Sequence, residues 1–271
     1  MKKERIIGLF IFYVYFCKKQ RTMKKIIFLI IIVSVIAVTI WWRAPIIGSE
    51  WNKQTLYVGL LDTWYGRSVD SKAYAMWIDD DSSTGVFKSK KIADSLGIPV
   101  YFAVIADKME PEIADSLASW QRQGAGIILH GFRHEPWKEW NTIQIENDIR
   151  KSKQKLYILG FDTAQITRII IPPHSCNTKT IRNVIKRHGY KMVSGATLIN
   201  PDRQVFQYGR ISISPSTDLD AMRELLEKAY KRNAFVIFAT HSSISEHFSV
   251  EKTQEVLRIS KEIGYCFNIN E

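Results

Sequence analysis

The chain has 271 residues, 46% of them hydrophobic and 24% charged, which excludes intrinsic disorder and allows one sizeable domain with a tail, or two small domains. A net charge of +11 suggests nucleic acid until its location is read: residues 1–25 hold eight Lys and Arg against Glu4, a surplus of +7, leaving +4 for the other 246 residues. That remainder has no basic block with interleaved aromatics, and nucleic acid is set aside as a partner.

Residues 1–25 form a basic tail, expected on the cytoplasmic side. Residues 26–42 follow without a charge and end on Trp41 and Trp42, which suit an outer interface. As a helix rising about 1.5 Å per residue, this segment spans roughly 25 Å, near the short limit for a bilayer. It is read as a single-pass anchor with the body extracytoplasmic; a cleaved signal, hence a secreted protein, is the alternative. The earlier apolar run at 6–17 is too short to span, and Met23-Lys24-Lys25 reads like a second start. Of three cysteines, Cys17 lies in the tail; Cys176 and Cys266 either pair as a disulfide or stay as two buried thiols.

Residues 43–72 read as linker or cover, with a strand or apolar cover at 55–61. From residue 73 to the end, short apolar runs alternate with longer amphipathic stretches. Strands are expected at 74–78, 100–106, 127–130, 166–171, 191–194, 235–240 and, closing the chain, 265–269. Helices are expected at 87–96, 111–123, 142–159, 177–188, 218–232 and 250–263. Continuous apolar strands alternating with helices predict an α/β fold with a parallel sheet, closed as a (β/α) barrel, regular or irregular. No element is assigned between Leu198 and Ile211.

Chemistry gathers where the strands end. The first run ends in Asp79, Asp80 and Asp81, and three adjacent carboxylates need a cation or full solvation. The third ends in His130-Gly131-Phe132-Arg133-His134, a spacing that lets both imidazoles face one ion. Two His and a carboxylate suit Zn²⁺ or another first-row metal with open positions for water. A second Asp beside the ligand is positioned to take a proton from bound water. Pro172-Pro173-His174 ends the fourth run and His241 follows the sixth, a candidate acid for a leaving group. Each has a plainer reading: an acidic triplet is usually a solvated loop, a lone His pair is as often surface as ligand, and His247 is read as surface. Trp137 and Trp140 suit either a sugar-stacking platform or packing on the rim, as do Trp64 and Tyr65.

These motifs resemble those of polysaccharide deacetylases of the NodB-homology, carbohydrate esterase family 4 type. Trp77-Ile78-Asp79-Asp80-Asp81 is similar to Thr-Phe-Asp-Asp-Gly, His130 to His134 to His-Ser/Thr-x-x-His, Ile171 to His174 to Arg-x-Pro-Tyr, and Ala239-Thr240-His241 to Leu-x-His. The resemblance spans roughly residues 73–270 and implies a distorted (β/α) barrel that removes N- or O-linked acetyl groups from a carbohydrate such as surface polysaccharide or peptidoglycan. It implies Asp79 as general base and His241 as general acid. Asp80, His130 and His134 would hold a divalent cation, Zn²⁺ first, with Co²⁺, Ni²⁺ or Mn²⁺ as alternatives. His174 would serve the oxyanion through its backbone N–H, or act as an extra ligand. Two departures stand out. Asp81 replaces a Gly and leaves Asp80/Asp81 open as the working pair, and Ile171 replaces an Arg that helps orient the base. A noncatalytic glycan-binding protein on the same scaffold, or a hydrolase of another bond, is the competing expectation.

Overall fold

The computed structural model describes residues 68–196 and 199–267. The basic tail, the apolar segment at 26–42, most of the linker, Cys17, Trp64, Tyr65 and residues 268–271 lie outside them. Among the described residues no helix is long and apolar enough to cross a membrane.

Seven parallel strands close into a barrel in chain order: β1 (Tyr74–Asp79), β2 (Tyr101–Val104), β3 (Gly126–Leu129), β4 (Ile169–Ile170), β5 (Lys191–Ala196), β6 (Gln207–Ser212) and β7 (Phe235–Thr240), with β7 pairing back to β1. The helices are α1 (Val86–Leu96), α2 (Pro111–Arg122), α3 (Thr142–Ile158), α4 (Lys179–Arg187), α5 (Leu219–Tyr230) and α6 (Val250–Ile263). Helices α3, α4, α5 and α6 open on side-chain caps. Asn141 and Gln144 form a reciprocal capping box at α3, and Thr178, Asp218 and Ser249 cap the other three.

The barrel interior is filled by one face of each strand. Tyr74, Met76, Ile78, Tyr101, Ala103, Ile128, Ile169, Ile171, Val193, Tyr208, Phe235 and Ile237 pack there as a single buried cluster. Truncating one of its large members, such as Ile237 to Ala, should cost about 2–5 kcal/mol.

Two expectations are corrected. Of the last strand expected at 265–269, the described residues 265–267 make only an isolated bridge. Strand β2 pairs with β1 only at Ile78 and Asp79, so the edge of β1 near Tyr74 is open, and Cys266 fills it with one bridge through Ala75 N and Ala73 O. The closing position belongs to β6 and β7. Gln207-Tyr208-Gly209-Arg210-Ile211-Ser212 carries Gly, Arg and exposed polar ends, so its composition reads as loop. It holds as a strand because buried Asn200 supplies strand-like partners to Gly209 N (2.7 Å), Gly209 O (3.1 Å) and Phe235 O (3.2 Å). Cys176 follows β4 at one end of the barrel and Cys266 sits at the start of β1 at the other, so they are not bridged to each other.

Candidate active site

Side chains on a strand alternate between the barrel interior and the helix layer. On β1 the inward set is Tyr74, Met76 and Ile78, so Asp80 is next in phase and lies over the mouth, while Asp79 turns outward. The same phase brings His130 after Ile128, Arg210 after Tyr208, and His241 after Ile237 and Ala239.

These four side chains meet. Asp80 Oδ1 is 3.0 Å from His130 Nε2, and its Oδ2 lies 2.8 Å from Arg210 Nη1 and 3.5 Å from His241 Nε2. His134 Nε2 stands 2.9 Å from His130 Nε2. The Asp80 side chain is only 4% exposed. Burial works against its charge, but His130, His241 and the Arg210 guanidinium outweigh it and hold the carboxyl far below the usual range.

The tautomer of His130 follows from its other nitrogen. Nδ1 is 2.8 Å from the Ile171 carbonyl, which only accepts, so the proton sits on Nδ1. Burial lowers the His130 pKa and, with His130 and His174 nearby, pushes His134 down to about 4. Both shifts favour the neutral imidazole, with the Asp80 carboxylate pulling the other way on each ring. Without a second proton on His130, its Nε2 lone pair and Asp80 Oδ1 conflict at 3.0 Å in this buried site. A divalent cation would turn that conflict into coordination, with His130 already oriented through a backbone carbonyl. The donor chemistry fits such an ion, but the spacing is closed. Two nitrogens on one tetrahedral ion sit about 3.3 Å apart, so the His pair must open slightly. Among the described residues no group of three His, Cys, Asp or Glu is spaced ready for a metal.

The loop carrying the His pair is tightly built. Gly131 has φ 80°, and a Cβ there would sit 2.6 Å from Pro173 Cγ, so the glycine admits the β4 loop against the β3 loop. His134 (φ 62°), His174 (φ 54°) and Ser175 (φ 53°) hold left-handed backbone without being glycine, a strain that packing must sustain. Behind the loop, Asp148 of α3 accepts from Phe132 N at 2.9 Å. Burial raises Asp148 to about 6, against the pull of the Phe132 N–H and the Trp137 indole, although Trp137 Nε1 makes no well-formed hydrogen bond.

Other candidates lie apart from this cluster. Asp79 is fully buried between β1 and α1. It accepts from Ser242 Oγ (2.6 Å), Ser242 N (3.2 Å) and Thr240 Oγ1 (3.2 Å) and touches none of the histidines. Asp81 accepts from Ser82 N, Ser83 N and Ser83 Oγ, and from Ser242 Oγ at 2.9 Å. Ser242 has one hydroxyl proton for two carboxylates, so the second contact requires a proton on a carboxyl. Desolvation raises Asp79 to about 6, so below that pH Asp79 carries the proton and donates it to Ser242 Oγ, whose own proton goes to Asp81. His174 is exposed, and its Nε2 donates to the His134 carbonyl at 3.1 Å with the rings 4.5 Å apart, which steadies the second histidine. Trp137 is 1% exposed, so it is packing and not a sugar platform; half-buried Trp140 stacks along it at 6.4 Å. Exposed His247 lies edge-on to His241 at 6.2 Å. Sequence reasoning missed Arg210, Asp148 and Ser242. Only Arg210 carries a signal, its two-residue spacing from Tyr208.

The sequence profile described as polysaccharide deacetylase matches residues 66–193, the stretch holding the acidic triplet, the His pair and Pro172-Pro173-His174. Over that stretch the chain matches the polysaccharide deacetylase family, and its barrel has the NodB-homology fold. No curated protein matches the chain in sequence. Similar solved structures include a chitin deacetylase from the fungal pathogen Colletotrichum lindemuthianum, at 14% identity and TM-score 0.55, covering 73% of this chain and 85% of that one. A family 4 acetyl xylan esterase from Clostridium thermocellum, in complex with a cobalt ion, matches at 15% identity and TM-score 0.54, covering 71% and 85%. A family 4 carbohydrate esterase from Streptomyces lividans in complex with acetate matches at 15% and 0.51, covering 72% and 91%. At these identities the likeness establishes the fold of the deacetylase domain.

Proposed function

We propose that the protein is an exported, metal-dependent carbohydrate deacetylase whose cation is held by Asp80, His130 and His134. The observation that carries this reading is the meeting of Asp80, His130 and His134 at the barrel mouth, with His130 Nε2 2.9 Å from His134 Nε2 and 3.0 Å from Asp80 Oδ1. A cation bound there supplies an acidified water and polarises an acyl carbonyl. His241, with a side chain 32% exposed and leaning on Asp80 Oδ2, holds a proton at Nε2 for the departing amine or alkoxide. Asp80 is the one mouth-facing carboxylate of the triplet, so the ligand role falls to Asp80 and the proton for the leaving group to His241. Export is part of the proposal and rests on the uncharged run at 26–42 behind a basic tail.

The test is acetate release from acetylated chitin oligomers, peptidoglycan and acetyl xylan, with protein loaded with Zn²⁺ or Co²⁺ and with chelated protein. Release that depends on the ion is expected. Wild-type protein that binds no divalent ion under any condition overturns the proposal. One observation favours a noncatalytic glycan-binding protein: Asp79, the carboxylate the resemblance makes a base, faces away from the mouth. That reading predicts glycan binding without acetate release by the metal-loaded protein.

A further inference from the structure

We infer that Arg210 is the positioning residue of this site, fixing Asp80 from β6 and tying it to the loop after β4. The inference rests on the proposed metal-dependent reading. It starts from a charge that needs a partner. The Asp80 side chain is only 4% exposed, and a buried carboxylate needs a cationic or hydrogen-bonding partner. Strand β4 offers none: its inward residue at that height is Ile171, fully buried in the core. Arg168 lies one strand-length lower, with its guanidinium over the Tyr190 ring at 5.6 Å.

Arg210 reaches Asp80 because of what stands between them. Strand β6 pairs with β7, which pairs with β1, and Ser212 is level with Ala239, which is level with Ile78. Arg210 stands two residues below Ser212, so its long side chain rises past Ala239, a small residue on the intervening strand, to the top of β1. The guanidinium is 11% exposed, and Nη1 donates to Asp80 Oδ2 at 2.8 Å. Nη2 reaches toward Ser175 Oγ at 3.5 Å, a residue held in left-handed backbone at φ 53°. One planar group thus spans the mouth from β1 to the β4 loop. It occupies Oδ2 and leaves Oδ1, the oxygen facing His130, for the cation. Lysine carries the same charge but lacks the rigid fork that sets the direction of both contacts.

The test compares Arg210→Ala, Arg210→Lys and wild type for kcat and KM on an acetylated glycan, Co²⁺ absorption, Co²⁺ affinity and thermal stability. Loss of the positioning group should lower kcat or Co²⁺ affinity by about 10–100-fold, and the lysine variant should share most of the loss despite its charge. The Co²⁺ spectrum should change in both variants. Guanidinium ion added at sub-denaturing concentration should restore spectrum and turnover to Arg210→Ala and not to Arg210→Lys, whose side chain still fills the space. Wild-type turnover and spectrum retained in Arg210→Ala would overturn the inference, as would a loss in a folded variant that guanidinium does not restore. Wild-type protein that neither binds Co²⁺ nor releases acetate would instead overturn the underlying reading.

Discussion

Asp79 and Asp80 are adjacent in the chain, and the two sides of β1 make them different groups. Asp80 points over the barrel mouth, where two imidazoles and a guanidinium hold it ionised. Asp79 points into the layer under α1, where its partners are hydroxyls and one backbone N–H, and desolvation raises it to about 6. A one-residue step on a strand exchanges the faces, so the phase of the inward residues Tyr74, Met76 and Ile78 decides which carboxylate faces the mouth. Composition of the triplet cannot.

The largest way to break this contrast is on the mouth side. His241→Ala should keep Co²⁺ binding within a few-fold while lowering kcat about 10²–10⁴-fold; a variant that loses the ion instead would make His241 a ligand. A smaller effect is expected behind the loop. Asp148→Ala removes the acceptor of Phe132 N and leaves that N–H buried, so Co²⁺ affinity should fall about 10–100-fold, read by calorimetry. Unchanged affinity would mean that Gly131 and Pro173 shape the loop without it.

The smallest effect belongs to the outward carboxylate and is one of stability. The Asp79 pKa is raised to about 6 from 3.8, so its protonated form favours the folded state. That contribution is present in full below about pH 4 and is lost as pH rises through about 6. Asp79→Asn should therefore be more stable than wild type at pH 8, by about 1–3 kcal/mol, with the difference shrinking toward pH 4. Denaturant unfolding at both pH values checks it, and equal stability at pH 8 would mean that the carboxylate is solvated or paired.

Much of the fold was legible because its signals are local. Apolar runs such as Phe235–Thr240 and helical periods such as Ile145, Ile149 and Leu156 report burial directly. The positions of Asp80, His130, His134 and His241 at strand ends were legible for the same reason. Strand β6 was not, because its stability comes from Asn200 and from neighbours on both sides, while its own residues include Gly209 and Arg210. With β6 hidden, so was the guanidinium over Asp80. Residue 266 reads like the end of a closing strand because its apolar neighbours mimic one. Its place depends on β2 leaving the start of β1 open, which no local pattern records. The outward turn of Asp79 was readable in principle from the two-residue phase of β1, and the resemblance to the family motif pointed the other way.

The contrast is tested most directly by titrating Co²⁺ into Asp79→Asn and Asp80→Asn while following acetate release from the same glycan. Asp80→Asn should bind no Co²⁺ and release no acetate above background, and Asp79→Asn should bind and turn over within about threefold of wild type, as expected for a change away from the reacting groups. An Asp79→Asn protein that binds Co²⁺ normally but releases no acetate would contradict the account and make Asp79 the base.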